Sequence, residues 1–321
     1  MIDCCVDRLL GAVLVERYLL LDRVGDGGTA SVYLARDLLL DRSVAVKVHR
    51  AAAGSPEEDA RRDREGRLLA DSRHASIVEI LDRGRVALPE GEASFLVLEY
   101  FDAADSAAAW FTSADERAVA DVGAQVAEAL AHLHERGVLH RDVKPENVLV
   151  RSRALPVGAS TREAKLSDLG TARSLDDPPV GAPGTVVGTA AYLSPESLGS
   201  GVVAAASDVY SLGLVLLEAL SGRRAYSGTT LEISLQRMHH SPVIPASVPM
   251  RWRSLLGAMT ALDPADRPSA RDVARRLWAE VQDLPASTAP AAPSRVHRLL
   301  AATAALSVGV LSTLTLIGSP G

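Results

Sequence analysis

In the N-terminal third of the chain apolar residues alternate with polar ones, whereas beyond about residue 115 they recur at every third and fourth position, the period of a helix. "SVAVKVHR" at 43–50 and "SFLVLEY" at 94–100 predict short strands rich in apolar and β-branched residues. Residues 57–71 carry a helix-like charge pattern after Ser55-Pro56, which suit a cap and first turn. "DERAVADVGAQVAEALAHLHERG" at 115–137 predicts an amphipathic helix that stops at Gly137. "SDVYSLGLVLLEALSG" at 207–222 is apolar nearly all round, as a buried central helix would be. Strands first and helices afterwards imply an α+β fold, with a small β-rich lobe joined to a larger α-helical lobe. No internal repeat is visible.

The last apolar run differs in kind. "LLAATAALSVGVLSTLTLI", residues 299–317, holds nineteen residues without a charge. As a helix it would be about 28 Å long, close to the hydrocarbon thickness of a bilayer. Residues 285–298 form a Pro/Ala-rich linker ahead of it, and Arg295, His297 and Arg298 flank its N-terminal side. A transmembrane helix is expected here, with residues 1–298 in the cytoplasm by the positive-inside tendency. The alternative is a buried hydrophobic helix, which the linker disfavours. With only residues 318–321 after the apolar run no extracellular sensor is expected, and a partner, clustering in the membrane or cytoplasmic input is expected to supply the signal.

Composition narrows the class. With 321 residues and 47% hydrophobic content the chain can bury one large core or two lobes. A formal net charge of −6 argues against broad neutralisation of nucleic-acid phosphates, so no nucleic-acid partner is expected. Cys4 and Cys5 are adjacent and have no second pair, which leaves neither a disulfide framework nor a zinc site. Asp3, Asp7 and Arg8 interrupt any secretory h-region.

Two loops concentrate chemistry. "VLHRDVKPENVLV" at 138–150 places a histidine, cations, acids and an asparagine between apolar runs. "VGDGGTASVYLARD" at 24–37 has Gly25, Gly27 and Gly28 between two strand-like stretches, where backbone amides can approach phosphate oxygens. An ordinary hairpin turn explains the glycines equally well, and the ending of a Walker A loop is missing. Lys47, inside the apolar "VAVK", is costly to bury unless it meets an anion. An exposed strand-edge lysine is the plain alternative.

Taken in order, these segments resemble a known family. Gly25-x-Gly27, Val32, Ala45-Val-Lys47, His140-Arg-Asp142, Lys144, Asn147, Asp168-Leu-Gly170 and Ser194-Pro-Glu196 follow the sequence of motifs in eukaryotic-like (Hanks-type) protein kinases. "HRDVKPENVL" and "GTAAYLSPE" are similar to bacterial serine/threonine kinases. The resemblance covers about residues 15–280 and implies a two-lobed protein kinase fold over 15–284. The N-lobe would occupy about 15–99 and the C-lobe about 102–284, after an N-terminal tail at 1–14.

The resemblance also implies roles. Asp142 would orient the acceptor hydroxyl and take its proton, and Lys144 would neutralise charge on the transferring phosphoryl group. Asn147 and Asp168 would hold Mg2+, with Mn2+ as the second choice. Lys47 would grip the α- and β-phosphates of ATP and pair with Glu65. Val24, Gly25, Asp26, Gly27, Gly28, Val32, Ala45, Glu99, Phe101 and Leu149 would line the nucleotide site, with Leu98 as gatekeeper. His140 is implied as a packed core residue with Leu69, Ile80 and Leu169, Asp208 as an anchor of the catalytic loop, and Glu196 and Arg267 as a buried ion pair.

The partners implied are ATP, proteins with Ser/Thr acceptors, and a transient second copy. Thr185 is the expected phosphosite, modified in trans and docked on Arg141, although it suits an exposed loop residue as well.

Some positions depart from the family. Ala30 stands for the third glycine of the phosphate loop and Leu169 for the usual phenylalanine after Asp168. Residues 151–163 lengthen a hairpin and read as a surface loop, and residues 103–110 lack the usual pattern after the hinge. No catalytic group is lost, so an active membrane-tethered kinase is expected. The alternative is a pseudokinase scaffold that binds nucleotide or partners without catalysis.

Overall fold

Alternation along three neighbouring strands divides the N-terminal sheet into a buried face and a half-exposed one. β1 (Val13–Leu14), β2 (Tyr18–Asp26), β3 (Ala30–Asp37), β4 (Arg42–His49), β5 (Ile80–Leu88) and β6 (Gly91–Glu99) form an antiparallel sheet in the order β1-β2-β3-β4-β6-β5. Tyr33 and Ala35, then Val44, Val46 and Val48, then Ala93, Phe95 and Val97 pack into one apolar cluster with Tyr18 and Leu20. Period-two patterning requires the residues between them to face the other way. Val32, Ala45, Lys47 and Leu98 therefore share the half-exposed face, with Val32 opposite Lys47 and Ala45 opposite Leu98. Arg17 ties the start of β2 to the end of β3, donating at 2.8 Å to each oxygen of the fully buried Asp37. Held first by that guanidinium, the Asp37 carboxyl falls to about 2.

This computed structural model describes residues 9–26, 30–49, 73–88, 91–102, 105–111, 114–154, 160–168, 173–174, 191–198 and 202–285. β7 (Asp105–Ser106) and α1 (Ala107–Trp110) lead to α2 (Glu116–His134), which Asp115 caps by accepting from the Ala118 amide at 2.8 Å. The chain leaves that helix through Gly137 at φ 70, a conformation that favours glycine. β8 (Val138–Leu139), β9 (Val148–Ala154), β10 (Ser160–Leu166) and β11 (Arg173–Ser174) follow. Then come α3 (Pro195–Leu198), α4 (Ala205–Ser221), α5 (Thr230–His239), α6 (Met250–Met259) and α7 (Ala270–Asp283).

α4 is buried continuously from Ser207 to Leu217, as its all-round apolar pattern predicts. Gly213 lets it approach α6 closely, since a Cβ there would lie 2.8 Å from Thr260 Cγ2. The two lobes are stitched where Val78 donates to Leu166 (3.0 Å) and Leu166 to Ser76 (2.9 Å).

The fold differs from the sequence reading in three places. β1 pairs with Tyr18–Leu19, so the sheet begins within the stretch set apart as an N-terminal tail. Residues 151–154 and 160–163 are not a loop but paired strand, because β9 and β10 continue their register through Arg151–Glu163 to Ala154–Ser160. Residues 105–110, unassigned from sequence, form β7 and α1. The 57–71 helix and the 299–317 segment lie outside the described residues. No helix among the described residues is long and apolar enough to cross a membrane.

Candidate active site

The loop after β8 is shaped from the central helix. Asp208, near the start of α4 and buried, accepts from the amides of His140 (2.9 Å) and Arg141 (2.8 Å) and from His134 Nε2 (2.9 Å). Burial alone would push this carboxyl up. The hydrogen bond and charge of His134 and the neighbouring His140 outweigh that and hold it below the usual range. Arg141 sits at φ 67, a left-handed conformation costly for a residue with a side chain. The hydrogen bonds that the His140 and Arg141 amides donate to Asp208 hold the backbone entering that turn.

Downstream, three functional side chains meet. Asn147 Nδ2 donates to the carbonyl and to Oδ2 of Asp142, both at 2.8 Å, and Lys144 Nζ donates to the same Oδ2 at 2.7 Å. Among the described residues the hydrogen bonds to this carboxylate fall on Oδ2 alone. Pro145 opens the 3-10 turn 145–147 that brings Asn147 back over Asp142. Ser167 then bonds the Asn147 carbonyl through its amide (2.8 Å) and Oγ (3.0 Å). His140, fully buried, places Nε2 3.0 Å from the Ser167 carbonyl and so behaves as a packed core residue. Asp168 follows at φ 60 and forms an ion pair with Lys47.

The residues expected from sequence to line a nucleotide site are only partly brought together. Val32, Ala45 and Lys47 share one sheet face, and Gly25 lies opposite Val32 across β2 and β3. Val24 is exposed. Asp26 is engaged within its own hairpin, accepting from Ser31 Oγ at 2.7 Å. The Glu99 carboxylate accepts from Lys165 Nζ at 2.8 Å and its amide donates to the Glu79 carbonyl at 2.8 Å, which leaves its own carbonyl as the part suited to a base edge. Phe101 is buried beneath the Arg151 guanidinium, 4.2 Å from the ring centre. Leu149 is half-buried on β9. Gly27, Gly28, Glu65, Leu69, Leu169 and Thr185 lie outside the described residues.

The donor set fits a hard cation. Asn147 commits its amide nitrogen to Asp142, so its amide oxygen is the end suited to a metal, and Asp168 supplies a carboxylate. Asparagine and aspartate oxygens match Mg2+ rather than a thiophilic metal.

The protein kinase domain family matches residues 18–279 of this sequence. The chain belongs to that family. Serine/threonine-protein kinase PknB of Mycobacterium tuberculosis is 37% identical over 241 residues, which cover 73% of this chain and 37% of that protein. Serine/threonine-protein kinase PknL of Mycobacterium bovis is 34% identical over 269 residues, covering 81% of this chain and 64% of that protein. The chain thus spans less than two thirds of the length of each of these relatives.

Within this kinase domain the ion pair expected from sequence is present. Arg267 Nη1 and Nη2 meet Glu196 Oε1 and Oε2 at 2.7 and 2.9 Å, both side chains being buried. Three contributors had no motif to reveal them. His134 supports Asp208 from the end of α2, Lys165 takes up the Glu99 carboxylate, and Arg237 is completely buried on α5. Arg237 alone left a trace. It has no acidic residue three or four positions away in "TLEISLQRMHHS", so the surface ion pair that usually accompanies a helical arginine is missing.

Proposed function

We propose that this chain is an ATP-dependent, non-specific serine/threonine protein kinase that transfers the γ-phosphoryl group of ATP to protein hydroxyls. The observation that carries this reading is the Asp142 carboxylate, engaged on Oδ2 by Lys144 and Asn147, beside the Lys47–Asp168 pair. With Oδ2 occupied, Oδ1 is the oxygen suited to receive the acceptor's proton. The acceptor oxygen bonds to the γ-phosphorus as the bond to the β–γ bridging oxygen breaks, the proton passes to Asp142, and ADP leaves. Lys144, within 2.7 Å of Asp142, offsets negative charge where acceptor and phosphoryl group meet. Lys47 grips the α- and β-phosphates from the sheet face that Val32 and Ala45 share, and these two with Leu149 enclose the base. Asn147 and Asp168 would hold Mg2+, which when bound neutralises charge on the phosphate oxygens.

Two finer readings accompany this one. The apolar segment 299–317 anchors the kinase domain to the membrane from the cytoplasmic side, supported by its length and its flanking Arg295 and Arg298. Copies held together in this way phosphorylate one another at Thr185.

The test is label transfer from γ-labelled ATP to a protein acceptor with Mg2+ or Mn2+. Asp142→Asn should lower transfer by about a thousandfold, within the range for a positioned proton acceptor. Equal labelling by both proteins would refute the assignment.

A further inference from the structure

The last helix leaves one side open along the helix it packs on. α2 and α7 run antiparallel: Arg117, at the start of α2, donates to the carbonyls of Val281 and Leu284 at the end of α7. At the other end Arg271, on α7, donates from Nε to Glu135, just past α2, at 3.0 Å. Between the two helices lies a groove of about 700 Å³. Ala131, Ala274 and Ala279 leave space in it, and His74, His132 and Trp278 line it with rings. The half-buried Trp278 indole is fixed there by donating to Glu128 at 2.8 Å. Arg136 Nη1 donates to His132 Nδ1 at 3.2 Å, so in the neutral ring Nε2 carries the proton and needs an acceptor. Burial, which lowers the pKa of His132, favours that neutral form. Yet His132 Nε2 is buried without a hydrogen-bond partner among the described residues, a costly position until an acceptor arrives.

The chain that continues from α7 has the chemistry to fill this groove. Arg117 fixes the point of exit by holding the Leu284 carbonyl, and "PASTAPAAPSR", residues 285–295, follows. Pro290 and Pro293 have the P-x-x-P spacing of a polyproline helix, whose shape is set in advance and whose carbonyls make no internal bonds. Such segments dock in grooves lined by aromatic rings. Their carbonyls suit the donor that His132 presents, and Arg295 supplies a cation for Glu135, which is exposed. The reach is sufficient. Trp278 lies six residues before Leu284, about 9 Å back along α7, and Arg271 is about 10 Å further on. A turn over 285–287 followed by extended chain at about 3.1 Å per residue brings Pro290 level with Trp278. Pro293 is then about 9 Å beyond it, level with Arg271 and its partner Glu135. Attachment so close to the groove also gives this segment a far higher effective concentration than any free peptide.

We propose that residues 286–295 dock as a polyproline strand in the groove between α2 and α7 of their own chain, with Pro290 on Trp278, a linker carbonyl on His132 and Arg295 beside Glu135. On the membrane reading above, residues 296–298 then separate the docked strand from the apolar run, so the α2–α7 face is held toward the bilayer. The docking itself depends neither on that reading nor on phosphoryl transfer.

The experiment uses the full chain in detergent micelles, with photoreactive p-benzoylphenylalanine replacing Ala291. Illumination should join position 291 to residues 128–135 or 271–282 of the same chain, seen as a monomeric product whose cross-linked peptides are mapped by mass spectrometry. The double change Pro290→Gly and Pro293→Gly, which leaves the kinase domain untouched, should lower that yield at least about fivefold, since glycine loosens the preset shape. Without the photoreactive group, trypsin should cut after Arg295 about tenfold faster in the double variant than in wild type. Trp278→Leu should give the same two changes, and should it fail to fold, the proline variant decides. Products joining position 291 to detergent, to another face of the domain or to a second copy would overturn the docking. So would equal yields and equal cleavage rates in wild type and the proline variant. No transfer is measured, so a negative result here leaves the kinase reading standing, and an inactive wild type leaves this result standing.

Discussion

Lys47, in the middle of β4, and Asp168, two residues beyond the end of β10, form an ion pair between the two lobes. Lys47 is the more enclosed, its side chain 12% exposed against 37% for Asp168. Each charge compensates the other, and on the proposed kinase reading a triphosphate and a cation would offer replacement partners. Lys47→Met should therefore reduce phosphoryl transfer at least about a hundredfold, as expected when a charge-stabilising group is lost. The partner left behind can reach water, so the melting temperature should stay within about 3 °C of wild type. Label transfer and thermal unfolding, run on the same preparations, check both halves. Wild-type turnover in the variant would remove Lys47 from the phosphate site.

Asp208 should be far less forgiving. Its carboxylate satisfies three nitrogen donors at 2.8–2.9 Å, two of them the amides around the left-handed Arg141. Truncation in Asp208→Ala leaves those buried donors without an acceptor, at about 1–3 kcal/mol each. A loss of about 3 kcal/mol or more is expected in urea unfolding, with transfer falling more than about tenfold because the Asp142 turn loosens. A stability change under about 1 kcal/mol would show that the loop holds itself.

Sequence legibility followed the physics of each element. The strand at 43–50 and the helices at 115–137 and 207–222 were readable because each buries one continuous pattern of the right period. Asp142, Lys144 and Asn147 were readable as a group because one short loop carries them all. The Lys47–Asp168 pairing was not, since the sequence pointed to Glu65 for Lys47 and long-range pairing follows from lobe packing. The β9–β10 hairpin was readable, but the reach of its strands through 151–154 and 160–163 was not, because charged residues pair across them, as Arg151 and Glu163 do, and the segment resembles a polar loop. Arg237 was missed for a related reason: its partners are main-chain carbonyls, and the lack of an acidic residue three or four positions away is the one sign the sequence carries.

A pH effect should come from the junction of the lobes. His74 and His132 pack with ring centres 4.9 Å apart and ring planes tilted by 42°, and burial is the main cause that lowers the pKa of both. Arg136 lowers both further and Lys165 lowers His74, while Glu128 opposes this at His74 and Glu135 at His132. In the unfolded chain these rings titrate near about 6.5. Between the folded and unfolded values the unfolded state binds more protons, so their contribution is complete above about pH 6.5 and declines as pH falls. Melting temperature should drop from about pH 7 to pH 5, and His132→Phe should shallow that slope. Parallel slopes for wild type and variant would count against the pair.

The membrane reading makes a fractionation prediction. Removal of residues 296–321 takes away the nineteen-residue apolar run and its basic flank. The shortened protein should move from the membrane pellet to the supernatant and keep its specific activity, because Asp142, Lys47 and their partners all lie before the linker. A full-length chain that stays in the supernatant without detergent would favour a buried helix instead.

Regulation by phosphate is expected through Arg141. Its side chain is half-buried, directly before Asp142, in a turn already held by Asp208. A phosphorylated hydroxyl there would add a charge-assisted hydrogen bond to the guanidinium and order the segment that carries it. Between Asp168 and Glu196 the sequence offers Ser174, Thr185 and Thr189 as the acceptors with a distinct claim. Ser174 is paired backbone to backbone with Val138 and lies too near the metal-binding end to swing far. Thr189, in "VGTAAYLSPE", is set aside because the family resemblance implies a structural bond with Asp142 and Lys144. Thr185, in "GAPGTVVG" between Gly184 and Gly188, is the acceptor we propose for a second copy. Phosphosite mapping of purified protein should find Thr185 modified, and Thr185→Ala should lower transfer about tenfold, the scale of a lost charge-assisted contact. If the reaction runs between copies, the rate of Thr185 labelling per molecule should rise in proportion to protein concentration. Unmodified Thr185 in fully active protein, or labelling independent of concentration, would exclude the switch in trans.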